Sequence, residues 1–138
     1  MIQNILVPID GSEYSDRAVE QAVSLAEIYG AKLHFLYVAS INQLAINASL
    51  SDAILAAVKK AGQVILDRAA DFVPEGIEYK AVQETGMPAV SILDYIRDNS
   101  IDMVVMGSRG LSVVQGIFLG SISQYVIERA KCPIVIVK

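Results

Sequence analysis

One cysteine, one histidine and no tryptophan stand among the 138 residues. Cys132 alone closes no intramolecular disulfide, and with His34 as the single histidine the chain has no metal-ligand spacing. Apolar residues make up 54% of the sequence, yet no uninterrupted run reaches the roughly 18–20 residues that cross a bilayer. The opening MIQNILVPIDGSE has neither a basic n-region nor a small-residue cleavage site, so no secretory signal is expected. Basic residues are outnumbered, 11 Lys and Arg against 15 Asp and Glu, for a net charge of −4. That balance argues against a nucleic-acid partner, which usually calls for a basic face. Together these shortages predict a cytoplasmic protein without membrane insertion. A single bound nucleotide remains compatible with them, because backbone N–H groups hold phosphate without many cations.

What is present is an alternation of short aliphatic runs and amphipathic segments. IQNILVPI reads as a strand, broken by Asp10-Gly11-Ser12. From about Tyr14 to Tyr29 the residues Ala18, Ala22, Leu25, Ala26 and Tyr29 fall on one helical stripe, and Gly30 supplies a stop. AKLHFLYVA is a second strand. Ile54, Val58, Ala61 and Ile65 mark a helix between roughly Asp52 and Phe72, ended near Pro74 and Gly76. IEYKAVQ predicts a third strand with one wetter face, Ile77, Tyr79 and Ala81 alternating with Glu78 and Lys80. A third helix opens at Met87-Pro88, with proline in its first turn, and carries Ala89, Ile92, Leu93 and Ile96. MVVM and PIVIV are the last two strands, separated by a glycine-rich loop and a helix near Ser121–Ala130. The segment SINQLAINASLSD exceeds the usual length of a strand-to-helix loop and reads as variable surface, with a flap as the alternative. No internal repeat or boundary divides residues 1–138, which are expected to form one domain.

Strands alternating with helices imply a parallel sheet covered on both faces. Right-handed crossovers leave few topologies, and a doubly wound five-stranded sheet of order 3-2-1-4-5 is the expected one. Ligands in such sheets bind beyond the carboxyl ends of the strands, where the winding reverses. In that order the loop after the first strand, Asp10-Gly11-Ser12, faces the loop after the fourth across one crevice.

The loop after the fourth strand reads GSRGLSVVQGIFLGS, with glycines at 107, 110, 116 and 120. Phosphate binding needs N–H groups converging on one point without Cβ atoms in the way, and a helix N-terminus adds its dipole. Gly107 and Gly110 follow the strand directly. Gly120 and Ser121 open the next helix, where Ser121 is placed to cap the helix or to donate to a phosphate oxygen. The loop is neither a Walker loop nor a dinucleotide fingerprint. The residues alone leave two readings open, a pair of turns with an ordinary helix cap or a phosphate cradle.

The spacing Gly-x2-Gly-x9-Gly-Ser, carried by Gly107, Gly110, Gly120 and Ser121, resembles the nucleotide-binding signature of the universal stress protein family. NILVPIDGSEYSDRAVEQAVSLA is similar to that family's opening strand, loop and helix, and VVMGSRG with LGSISQYVIERAKCPIVIVK to its closing half. The resemblance implies an adenine nucleotide alpha hydrolase-like fold and an adenine-nucleotide site, typically for ATP, with ADP or AMP as alternatives. It also implies a homodimeric regulatory or sensor-type protein of stress response. Residue by residue, Asp10 matches the acidic position that contacts the nucleoside and assists a metal, with Mg²⁺ or Mn²⁺ as the candidate ion. Pro8 and Ile9 match positions beside the adenine pocket, Val38 an adenine contact, and Met106 a residue lining base or ribose. Gly107, Gly110, Gly120, Ser121 and Ile122 match the phosphate- and ribose-binding loop, with Ser123 as a further candidate.

The spacer LSVVQGIFL departs from the family in holding no Lys or Arg, so Arg109 is the one cation between Gly107 and Ser121. Arg109 or a metal ion would then offset part of the phosphate charge. Val113, Val114, Ile117 and Phe118 around Gly116 form an apolar group, a contact surface or a patch folded onto its own domain. No residue is assigned a catalytic role. His34 lies mid-strand as a core or sheet-face histidine, Cys132 reads as packing, Ser12, Ser15 and Ser108 have no His partner in view, and Glu84 reads as a solvated loop carboxylate. The alternatives to a nucleotide-dependent regulator are a slow metal-dependent ATPase using Asp10 and a nucleotide-free dimeric interaction protein. PIVIV, at the sheet edge in the expected order, is apolar on both faces and predicts pairing of Pro133 to Val137 with a second copy.

Overall fold

The order of elements follows from where aliphatic runs give way to turn residues. The computed structural model describes residues 1–40, 52–111 and 119–138. It places β1 (Asn4–Pro8), α1 (Glu13–Tyr29), β2 (Lys32–Ser40), α2 (Asp52–Ala70) and β3 (Tyr79–Gly86) in the first part of the chain. There follow α3 (Pro88–Asp98), β4 (Met103–Gly107), α4 (Ser121–Arg129) and β5 (Ile134–Val137). All pairings are parallel and the sheet order is β3-β2-β1-β4-β5, as the sequence predicts. Most of SINQLAINASLSD and the whole group Val113, Val114, Ile117 and Phe118 lie outside the described residues.

Parallel strands buried on both faces need no alternation of polar and apolar side chains. Ile5, Leu6 and Val7 of β1 and Val104 and Val105 of β4 are fully buried. Their side chains divide by parity. Ile5, Val7, Leu33, Phe35 and Val105 meet Ala18, Ala22 and Ala26 of α1 and Leu66 and Ala69 of α2. Leu6, Leu36, Val104 and Met106 meet Ile92 and Tyr95 of α3 and Val126 of α4 on the other face. Each such aliphatic side chain contributes about 1.5–3 kcal/mol when fully buried, so the two layers together hold the sheet between its helices.

Local signals fix the ends. Ser12 caps α1 by accepting the Ser15 N–H at 3.1 Å, and Gly30 closes the helix at φ 65° in the left-handed region. Pro88 stands at the start of α3, where a missing N–H costs nothing. Asp102 Oδ2 accepts the N–H groups of Gln3 and Asn4, both at 2.9 Å, which sets the start of β1 beside β4. The third strand departs from expectation. It begins at Tyr79, and Tyr79, Lys80 and Ala81 are all exposed, because β3 is an edge strand whose first half is open on both faces.

Candidate functional site

Strand β1 ends in Pro8, the Ile9 N–H donates to Leu36 O at 2.9 Å, and the chain then turns through Asp10 and Gly11 into α1. Strand β4 ends in Gly107, beside β1 in the sheet. The helices after these two strands lie on opposite faces, so the winding reverses between them and leaves a crevice above their carboxyl ends.

Every residue assigned a ligand contact from the sequence lines this crevice. Pro8, Ile9 and Asp10 come from the end of β1, Val38 from β2, and Met106 and Gly107 from β4. Arg109 and Gly110 supply the loop, and Gly120, Ser121, Ile122 and Ser123 the start of α4. Its volume is about 160 Å³. Sequence reasoning missed Leu36, Ser15, Pro88 and Ile92, which also line it. Leu36 was within reach, since it stands two residues before Val38 and so shares its face of the strand. Pro88 and Ile92 arrive from α3 by tertiary packing and carry no local signal.

The wall formed by Leu36, Val38, Ile92 and Met106 is apolar, and the opposite rim is backbone. Gly120 is the N-cap of α4 at φ −70° and ψ 159°, and no side chain among the described residues caps the helix. This corrects one alternative: Ser121 is exposed at the first helical position and does not cap. The Gly120 N–H donates to Ser108 O at 2.7 Å, and the Ser108 N–H donates to Val137 O at 2.8 Å. Ser123 Oγ donates to Gly107 O at 2.9 Å, so its hydroxyl proton is engaged within the fold.

The glycines of the loop are not equivalent. A Cβ on Gly107 would stand 2.7 Å from Tyr14 Cβ and 2.9 Å from the Tyr14 carbonyl carbon, so α1 itself demands glycine there. A Cβ on Gly110 would stand 2.5 Å from Asp10 Oδ2. A Cβ on Gly120 would meet nothing nearer than Arg109 Cα at 3.5 Å, an ordinary contact. Neither packing nor backbone conformation within the described residues calls for glycine at position 120.

The other titratable candidates sit elsewhere. His34 is buried, with Nδ1 2.9 Å from the Tyr95 hydroxyl and Nε2 3.0 Å from Asn4 Oδ1. Burial first, then Lys32 and Lys80, push its pKa down, with Glu78 opposing. Burial pushes the Cys132 thiol up, as suits a side chain packed against the second core. Ser12 and Ser15 bond each other's backbone at the start of α1. Glu84 lies within β3, half-buried, where the sequence suggested a loop carboxylate.

Residues 1–138 match the family model described as the universal stress protein family. The chain belongs to the universal stress protein family. Universal stress protein YxiE of Bacillus subtilis is 34% identical over the full length of both chains. Among solved structures, universal stress protein UspA from Lactobacillus plantarum superposes with a TM-score of 0.80 at 29% identity, covering 99% of this chain and 97% of that one. A universal stress protein crystallised in complex with cAMP superposes with a TM-score of 0.73 at 26% identity, covering 99% and 96%. Among the described residues of this universal stress protein, no helix is long and apolar enough to cross a membrane.

Proposed function

We propose that this universal stress protein binds an adenine nucleotide in the crevice and acts as a cytoplasmic regulatory or sensor-type protein whose state follows occupancy of that site. The observation that carries the reading is Gly120. It opens a helix that no described side chain caps, and a Cβ there would make only ordinary contacts with the described residues, the nearest Arg109 Cα at 3.5 Å. Clearance of this kind, at a helix N-terminus beside an apolar wall, suits a phosphate on the N–H groups and a flat base against Leu36, Val38 and Met106. The crevice volume of about 160 Å³ lies below the roughly 300 Å³ of a complete ligand pocket, which suits a nucleotide held partly in the crevice and partly at its open rim. The relative crystallised with cAMP supports a nucleotide as the ligand class.

ATP, ADP and AMP are the candidate ligands. Asp10 is the one carboxylate among the described crevice-lining residues, and Mg²⁺ bound through nucleotide phosphates takes one or two protein carboxylates. Mg²⁺ or Mn²⁺ therefore fits as a companion of the nucleotide. Dimerisation through β5 completes the reading, since β5 is an edge strand with all four residues half-buried.

Calorimetry with ATP, ADP and AMP, with and without Mg²⁺ or Mn²⁺, tests the proposal. A ligand at a hundred times its Kd stabilises the fold by about 2.7 kcal/mol, a rise of several degrees in melting temperature. No heat and no thermal shift with millimolar nucleotide would reject it in favour of a nucleotide-free interaction protein. Phosphate release in single turnover, with its loss in Asp10→Asn, would identify a slow metal-dependent ATPase instead of a sensor.

A further inference from the structure

Both oxygens of the Asp10 carboxylate are engaged by the protein itself. Oδ1 accepts the Ser12 N–H at 2.9 Å and Oδ2 accepts the Leu111 N–H at 3.1 Å. The first bond is local and helps turn the chain into α1. The second crosses the crevice and ties the loop after β1 to the loop after β4. Gly110 records how closely the two loops meet, because its missing Cβ would stand 2.5 Å from Oδ2. Its φ lies outside the left-handed region, so the backbone conformation does not require glycine. The carboxylate, as long as its two hydrogen bonds hold it in place, leaves no room for a Cβ.

Family resemblance implies that Asp10 touches the nucleoside. A carboxylate has about four lone-pair sites, so such a contact is compatible with the two bonds above, but the bonds give Asp10 a task of a different kind. We infer that Asp10 is a positioning residue, a latch that holds Gly110 and Leu111 against the β1 loop so that the glycine loop and the α4 N-terminus face one ligand. The inference rests on the nucleotide reading of this crevice. It has two consequences. The Leu111 N–H is engaged by the latch and is not a phosphate donor while the latch is closed. Asp10 and Gly110 act as one unit, so a methyl group at 110 and loss of the carboxylate at 10 do the same damage.

The latch is testable without ligand. In amide-resolved NMR of the full chain, Asp10→Ala should speed solvent exchange of the Leu111 amide by about tenfold or more, the loss of a bond to a charged acceptor. An exchange rate unchanged from wild type overturns the latch, whether or not nucleotide binds. In binding without divalent metal, ATP is compared with 2′,3′-dideoxy-ATP, which lacks the ribose diol. Asp10→Ala and Gly110→Ala should each weaken both nucleotides by a similar factor, about tenfold or more. The double variant should be no weaker than the worse single, because the Cβ at 110 meets none of the other described residues once the carboxylate is gone. A loss confined to ATP, or single losses that multiply in the double variant, leaves ligand contact as the whole of Asp10's role in binding and overturns the proposal. Where Asp10→Ala does not fold, Asp10→Leu keeps the bulk and removes both acceptors, and faster or unchanged Leu111 exchange decides in the same way. If wild type binds neither nucleotide, the functional reading falls while the Leu111 amide still decides the latch.

Discussion

Gly107 and Gly120 stand in one loop yet hold glycine for opposite reasons, and a matched pair of substitutions separates them. Gly120→Ser places the preferred type of N-cap at the start of α4, where no described side chain caps the helix. The gain over glycine is a few tenths of a kcal/mol, which for a domain of this size raises the melting temperature by about 1 °C. No clash offsets it, since the nearest atom to the new Cβ is Arg109 Cα at 3.5 Å. The new hydroxyl would accept from the N–H of Ile122 or Ser123, the same groups offered to a phosphate. Losing one charge-assisted bond of about 1.5–3 kcal/mol weakens nucleotide binding by roughly 10- to 150-fold. Gly107→Ala does the reverse. Its Cβ falls 2.9 Å from the Tyr14 carbonyl carbon, so α1 must shift, at an overpacking cost of about 1–3 kcal/mol and a fall of roughly 3–9 °C. Differential scanning fluorimetry and calorimetry on both variants read the two quantities. A Gly120→Ser protein that melts several degrees lower, or that binds nucleotide as wild type does, would refute the reasoning.

Three further outcomes follow from the geometry. The folded-state pKa of His34 lies below its ordinary value of 6.5, so the unfolded chain takes up the proton first as pH falls. Its contribution to stability is complete above about pH 6.5 and is lost as pH drops through the folded-state value. The melting difference between wild type and His34→Gln should therefore shrink between about pH 7.5 and 5.5, and parallel curves would contradict the sign. Arg109→Ala should weaken ATP by about tenfold, AMP by less, and flatten the dependence on salt, because a charge-assisted contact is removed; equal losses for both would place Arg109 away from the distal phosphates. Val135 packs on one core and Ile136 on the other, so Lys at either position damages the monomer as well as the edge. Sedimentation of the wild-type chain through a dilution series is the cleaner test, with a dimer expected at high concentration and a monomer throughout removing the β5 pairing.

The alternation of elements and the sheet order were legible because β1 and β4 are unbroken aliphatic runs and each helix carries a distinct start or stop. Ser12 and Gly30 bracket α1, and Pro88 opens α3. Tyr79 and Ala81 misled, because alternation predicts a face and says nothing of whether a helix covers it; at the edge β3 is open for half its length. In the site, the role of Asp10 came from resemblance to the family, while the glycines stood out by spacing. The reasons for those glycines did not. Tyr14 against Gly107 and Asp10 against Gly110 are contacts between segments about a hundred residues apart, and no local pattern records them. Pro88 and Ile92 were hidden for the same cause, since α3 reaches the crevice through packing on β2, β3 and α4.

Asp10 is joined to Leu111 across 101 positions of chain, and Asn4 to Asp102 across 98. At a synthesis rate of roughly 5–20 residues per second, that separation is about 5–20 s on the ribosome. Through that interval β1, the middle strand of the finished sheet, is an edge, and its buried Ile5, Leu6 and Val7 have β2 on one side and no strand on the other. The nascent chain thus carries three fully buried aliphatic residues of its middle strand first, and the strand that covers their open edge comes late in synthesis.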